Sequence, residues 1–336
     1  MQPNDHVWVI ILAAGEGKRV MNLTRDRWGL PAPKQYSLID GRTTLLDVTL
    51  ERARKIAPPE RIVAVVAAQH RRWWVSELAD LPARNVIPQP ENRGTAAGIL
   101  LPLLWILRRD PDARLIILPS DHGVASEETL HGAIIDALAC TPYPDSEMVL
   151  LGVQPRGPET DYGWIVPKPG AEGRLRPVAS FREKPDAATA AKLLAQGGLL
   201  NSFILIAGSR FLLTLFETSL PRLWRSFQPL LENKQNGSWT EQDLSRFYRS
   251  IPTFDFSKDL MEMAADTLWV HPVPACGWLD LGTPDRLTGH LLAQARQPWT
   301  GTTTQVKQRR PQVFRTHPGP LESTEPITGV GTHTGT

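Results

Sequence analysis

Short, evenly apolar runs alternate with amphipathic stretches along the first half of this chain. Residues 7–13 read VWVIILA and stop abruptly at Ala14-Gly15-Glu16-Gly17-Lys18-Arg19. Such a run suits a buried strand and is too short to span a membrane. Comparable runs fall at 61–68, 85–88, 114–119 and 148–153. Strands without polar alternation are buried on both faces, which predicts a mostly parallel sheet with helices on each side. Between the runs, residues 43–55 carry apolar positions at Leu45, Leu46, Val48 and Leu50, and Thr44 with Asp47 has the spacing of a capping box. Helices are also expected at 71–81, at 95–109 despite Pro102, and from Ser126, where Glu127 and Glu128 suit the positive end of a helix dipole. The fold class is therefore α/β, a Rossmann-like sheet flanked by helices.

The second half is less regular. Strands are expected at 162–166 and 178–183 around a turn at 167–173, then a helix at 186–196 capped by Asp186 and stopped by Gly197-Gly198. A strand at 200–207 precedes a helical stretch, 209–232, broken near Pro221. A short helix at 257–264, strands at 268–274 and 278–281, and a last helix from Thr283-Pro284 to about Gln294 complete the pattern. Beyond residue 296 the composition turns to Thr, Gly, Pro, Gln and Arg with no periodicity. The expected organisation is one catalytic domain over 1–295 and a disordered tail over 296–336.

Composition narrows the field. With 37 Lys and Arg against 35 Asp and Glu, the formal charge is +2. Neither a nucleic acid nor a membrane surface is an expected partner. Two cysteines make no disulfide framework, so a reducing, cytoplasmic setting is expected. No leader pattern is read at the start, where Asp5 and His6 stand in place of a basic segment.

In such sheets ligands bind beyond the carboxyl ends of the strands. The loops 15–19, 89–94 and 120–122 all follow strands and would share one crevice. Gly15 and Gly17 let the backbone turn tightly with N–H groups free for an anion, and Lys18 and Arg19 follow. The spacing is neither the dinucleotide fingerprint nor the P-loop, so a phosphate cradle and an ordinary tight turn both remain open. Asp121 ends a strand run, and Asp280 lies far off in a short apolar stretch. Two such carboxylates could share Mg²⁺, and each alone is commonly a turn or helix cap.

The residues of several loops resemble a known family. LAAGEGKR (12–19), LTR (23–25) and PKQY (33–36) are similar to the signature loop of sugar-nucleotide pyrophosphorylases. QPENRGTAAGI (89–99), PSDH (119–122), DYGWI (161–165), FREKP (181–185), LLNS (199–202) and GWLDLGTPDRL (277–287) follow in that family's order. Blocks PKQ, QPENRGTA and PSDH, with FDFSKDLMEM (254–263), most resemble mannose-1-phosphate guanylyltransferases.

The resemblance implies a GT-A-like nucleotidyltransferase fold and transfer of GMP from GTP to mannose 1-phosphate, with Mg²⁺ as cofactor. Arg19 and Lys18 would hold the outer phosphates, with Ala13, Ala14, Gly15, Gly17, Gln89, Asn92, Gly94 and Thr95 around the nucleotide. Lys34 would bridge the reacting phosphates, and Asp121 with Asp280 would hold the metal. Glu183 would contact sugar hydroxyls and Lys184 the sugar phosphate, with Gly163 and Asn201 completing the sugar pocket. Neighbouring strand residues point to opposite faces, so Glu183 and Lys184 can both reach a substrate only through an irregularity. His122 is expected to support the site without acting as a base, since the nucleophile is already an anion.

Other readings are a nucleotidyltransferase for UTP or dTTP with glucose 1-phosphate, and a silent regulatory subunit that binds a nucleotide sugar. Retention of Arg19, Lys34, Asp121, Lys184 and Asp280 argues against silence. A homo-oligomer is left open. Four departures from the family pattern stand out. Asn22 replaces a common proline, a Trp-Gly-Leu-Pro segment is inserted before Lys34, Asp161 replaces a glycine before Tyr-Gly, and Phe203 replaces the glycine after Asn201-Ser202.

Overall fold

The computed structural model describes residues 6–38, 41–141, 146–232 and 241–296. The expected tail lies outside them but for Arg296. The eleven described strands are β1 (Val7–Ala13), β2 (Ile62–Ala67), β3 (Val86–Gln89), β4 (Arg114–Pro119), β5 (His122–Gly123), β6 (Met148–Val153), β7 (Gly163–Pro167), β8 (Arg176–Glu183), β9 (Leu199–Gly208), β10 (Leu268–Pro272) and β11 (Leu279–Asp280). Nine form one sheet in the order β3-β2-β1-β4-β9-β6-β10-β8-β7. The first four are mutually parallel. Strand β9 then enters antiparallel between β4 and β6, and β8 runs antiparallel to both β10 and β7. Seven strands thus share a direction and two oppose it. The sheet is therefore mixed, and because β7 pairs with both β8 and β9 its second half closes on itself.

Alternate residues of each apolar strand feed two separate cores. Trp8 and Ile10 pack with Val63, Val65, Leu115 and Ile117 on one face. Val7, Val9, Ile11 and Ala13 pack with Ala64, Val66, Ile116 and Leu118 on the other. Each fully buried aliphatic side chain of this kind is worth about 1.5–3 kcal/mol, which is why these strands carry no polar face.

The described helices are α1 (Leu45–Arg54), α2 (Arg71–Glu77), α3 (Gly94–Leu107), α4 (Glu127–Cys140), α5 (Ala187–Ala195), α6 (Ser209–Ser219), α7 (Pro221–Glu232), α8 (Glu241–Ser250) and α9 (Pro284–Arg296). The capping box forms: Thr44 Oγ1 accepts from the Asp47 amide at 3.0 Å, and Asp47 accepts in return from Thr44 at 3.4 Å. Ser126 caps α4 and Asp186 caps α5 through the amides of Thr129 and Thr189. The helical stretch 209–232 breaks at Leu220, one residue before Pro221.

Three elements differ from expectation. The segment 257–264 forms a π-helical turn over Phe256–Met261, capped by Asp255 through the Lys258 amide. The strand expected at 278–281 is only β11, and it leaves the main sheet to pair with β5. Helix α8 was not expected at all. Among the described residues, no helix is long and apolar enough to cross a membrane.

Candidate active site

A cleft of about 660 Å³ opens over the carboxyl ends of β1–β4 and the neighbouring ends of β7–β9. Every sequence-predicted site residue except Ala13 lines it. Ala13 is buried, and its carbonyl accepts from Gln35 Nε2 at 3.0 Å. It supports the loop from beneath because β1 still runs through the core at that point.

The glycine loop is shaped by the lysine that follows it. Gly17 has φ +63°, and a Cβ there would meet the Lys34 amide at 2.8 Å. Gln35 Nε2 also donates to the Gly15 carbonyl at 2.7 Å, tying the loop to the 3₁₀ turn Lys34–Tyr36. Lys18 pairs with Glu16 and is exposed. Arg19 lines the cleft with no carboxylate partner among the described residues, and its charge opposes that of Lys184. Two unlike loops thus aim cations at one space.

At the second end, Gly94 has φ +81°, and a Cβ would fall 2.1 Å from the Phe254 carbonyl oxygen. Thr95 Oγ1 accepts from the Phe256 amide at 2.8 Å, and Asn92 Oδ1 accepts from Gly94 at 2.9 Å. Gln89 Nε2 donates to Tyr248 Oη at 2.8 Å. The residues expected around the base are therefore held by α8, which the motifs did not reveal, and by the π-helical turn within the FDFSKDLMEM motif.

The β5–β11 ribbon places His122 opposite Asp280 and so draws Asp121 and Asp280 together. Lys34 Nζ lies between them, 3.0 Å from Asp121 Oδ2 and 2.8 Å from Asp280 Oδ1. Burial would lower the Lys34 pKa, and the two carboxylates outweigh it and raise it above the usual lysine range. Burial likewise favours a neutral Asp121, but Lys34 and His122 hold its pKa at about 2. Burial pushes the His122 imidazole below its ordinary value despite both carboxylates. One ligand atom each from Asp121, His122 and Asp280 lie within 4.8 Å of one another. Two hard carboxylates that already enclose one cation, open to the cleft, suit Mg²⁺.

Gly163, Glu183 and Asn201 come from separate motifs and stand on the neighbouring strands β7, β8 and β9. Gly163 lets these strands approach closely: a Cβ there would lie 2.7 Å from Glu183 Oε2 and 2.8 Å from the Phe181 ring. Lys184 adopts φ +43°. That left-handed turn is the irregularity that brings Glu183 and Lys184 into one cleft, with Nζ 2.9 Å from Oε1. Burial raises the Glu183 pKa against the pull of Lys184. The Lys184 pKa is raised, because the bond to Glu183 outweighs burial. Phe203 is also left-handed, at φ +58°, with its amide donating to Asn201 Oδ1 at 3.0 Å. Sequence reasoning also passed over Arg286, which reaches the cleft from α9 and meets partners more than 120 residues away.

Comparison with known proteins identifies the family. The profile described as nucleotidyl transferase matches residues 8–295. The xanthan biosynthesis protein XanB of Xanthomonas campestris pv. campestris (strain B100) is 32% identical over 286 residues, covering 82% of this chain and 57% of XanB. Mannose-1-phosphate guanylyltransferase ManC of Salmonella typhimurium is 29% identical over 292 residues, covering 82% and 58%. The chain spans little more than half the length of these relatives. A solved structure from Thermus thermophilus, described as a mannose-1-phosphate geranyltransferase, matches with TM-score 0.70 and 28% identity over 82% of this chain and 76% of that one. The resemblance read from the ordered motifs holds, and the chain belongs to the nucleotidyl transferase family.

Proposed function

We propose that this protein transfers a nucleotidyl group from a nucleoside triphosphate to a sugar 1-phosphate, releasing pyrophosphate, and that the pair is GTP and mannose 1-phosphate. The observation that carries the reading is the gathering of Arg19, Lys34, Asp121, Asp280, Glu183 and Lys184 around one cleft. The likeness to ManC, a mannose-1-phosphate guanylyltransferase, supports the choice of substrates.

A phosphate oxygen of the sugar 1-phosphate attacks the α-phosphorus, and the bond from that phosphorus to the bridging oxygen breaks. The electron pair leaves with pyrophosphate. The nucleophile is already an anion, so no side chain has to remove a proton. The barrier lies in bringing two polyanions together and neutralising the charge that develops. Arg19 holds the outer phosphates of the triphosphate, and Lys184, oriented by Glu183, holds the sugar phosphate. Lys34 reaches the space between them. Asp121 and Asp280 would hold Mg²⁺, which neutralises phosphate charge and polarises the reacting phosphoryl group.

The test offers the purified full chain each of GTP, UTP, dTTP and CTP with mannose, glucose and other sugar 1-phosphates and Mg²⁺, recording pyrophosphate. The fastest release is expected with GTP and mannose 1-phosphate. Release with UTP and glucose 1-phosphate alone would replace the substrates and keep the reaction. No release in any pairing would overturn the reaction itself.

A further inference from the structure

The reaction above gives no task to Arg286, which also lines the cleft. Arg286 stands in the first turn of α9, its side chain 19% exposed. Nη2 donates to Glu159 Oε2 at 3.0 Å and to Asp161 Oδ2 at 3.1 Å. The guanidinium lies 4.5 Å from the centroid of the Tyr162 ring, so its plane is supported as well as its donors. Nη1 is buried, has no hydrogen-bond acceptor, and sits 3.8 Å from Asp280 Oδ2. The other oxygen of that carboxylate accepts from Lys34. Gly282 bounds it from the backbone side, since a Cβ there would lie 2.7 Å from Oδ2.

The charges therefore alternate in a row: Glu159 and Asp161, Arg286, Asp280, Lys34, Asp121. Asp280 belongs to a strand of two residues, which restrains its side chain little. Lys34 holds only one of its oxygens, and in the reading above Lys34 turns to the substrate phosphates. A fixed cation on the far oxygen would then keep the carboxylate in place, and Nη1 is the donor poised there. A buried donor without an acceptor is costly, which makes a short shift of Asp280 toward it favourable. The unusual Asp161 gains a purpose on the same account, because it anchors Arg286.

We propose that Arg286 is a positioning residue for Asp280, acting through that carboxylate on the metal and not on the substrates, with Asp161 and Glu159 as its anchors. The inference rests on the metal-assisted reading above. Outer partners of metal ligands typically change affinity about 10- to 100-fold.

The test is Mn²⁺ binding to the full chain without nucleotide, followed by electron paramagnetic resonance. D280N is expected to lose most binding, R286Q to weaken it about 10- to 100-fold, and R286K to restore part of it. D161N should weaken it less, since Glu159 still holds Nη2. If R286Q fails to fold, the double variant E159Q/D161N loosens Arg286 while keeping it, and is expected to weaken Mn²⁺ binding in the same way. Mn²⁺ binding unchanged in both R286Q and the double variant, beside a deficient D280N, would overturn the proposal. So would a raised KM for the sugar 1-phosphate with Mn²⁺ binding intact, which would make Arg286 a direct substrate ligand. Wild-type binding by D280N would remove the metal reading and this inference with it.

Discussion

The half of the cleft built on β1–β4 and the half built on β7–β9 handle unfavourable backbone differently. In the first, the left-handed positions beside the site are Gly17 and Gly94, residues that adopt positive φ at no steric cost. In the second, they are Lys184 and Phe203, for which the same conformation costs about 1–2 kcal/mol each. Strain of this kind persists only where the surroundings over-determine it, and it collects at functional positions. The first half thus keeps an unstrained loop backbone beside the cleft. The second half holds both strained residues, Lys184 and Phe203, and two of the four departures from the family pattern, Asp161 and Phe203 itself.

The largest expected effect tests whether the two halves meet in one reaction. D121N and D280N each remove a charge from the pole between them and should lower kcat by at least about 100-fold. Melting should stay within a few degrees, because the amide keeps the shape of the carboxylate and can still accept from Lys34. Near wild-type turnover in both variants would separate the carboxylates from the chemistry.

Gly94 tests the unstrained half. An Ala Cβ would lie 2.1 Å from the Phe254 carbonyl oxygen, a backbone atom that cannot swing aside. Together with the lost freedom at φ +81°, G94A should cost about 3 kcal/mol or more in denaturant unfolding. Gly157, where a Cβ meets nothing within 4 Å, is the control, and G157A should be close to neutral. Equal stability of the two variants would deny that the first half depends on its glycines.

That half is not free of cost, but its cost is electrostatic. Glu77 is buried, accepts from Thr44 Oγ1 at 2.9 Å, and has Arg27 of the signature loop 3.6 Å away. Burial, with Asp47 adding to it, pushes its pKa to about 8 against the pull of Thr44 and Arg27. A carboxyl raised from 4.5 binds more protons folded than unfolded between these values. Stability should therefore be highest near pH 4.5 as far as this group is concerned, fall as pH rises to about 8, and stay level beyond. The slope is at most about 1.4 kcal/mol per pH unit. Calorimetry of E77Q, which keeps an acceptor for Thr44, should show a flatter melting temperature between pH 5 and 8 and a more stable protein at pH 8.

The same division governs what could be read from the sequence. Strands β1, β2 and β4 were legible because burial on both faces leaves an unbroken apolar run, and α1, α4 and α5 because their caps are local. Asp121 and Asp280 were legible as motif residues, but the ribbon joining them has two residues per strand and carries no periodic signal. Helix α8 did leave a trace: Leu244, Tyr248 and Ile251 recur at helical spacing and all enter the core. Its polar remainder, EQD and SR, hid that face. Nothing local marks Lys184 or Phe203 as left-handed, since neither residue prefers it. Arg286 became meaningful only with partners 125 and 127 residues away.

The smallest expected change in stability carries the sharpest test of the second half. F203G relieves a left-handed phenylalanine, a gain of about 1–2 kcal/mol. It also removes a half-buried ring that packs edge-to-face on Phe256 at 6.2 Å, a loss of similar size, so unfolding should shift by less than about 1 kcal/mol. If Phe203 is retained for folding, little else should change. If it is retained for the wall it presents beside Asn201, kcat/KM should change unequally across a panel of sugar 1-phosphates while KM for the triphosphate holds. A uniform change across the panel would place the strain at Phe203 outside substrate choice.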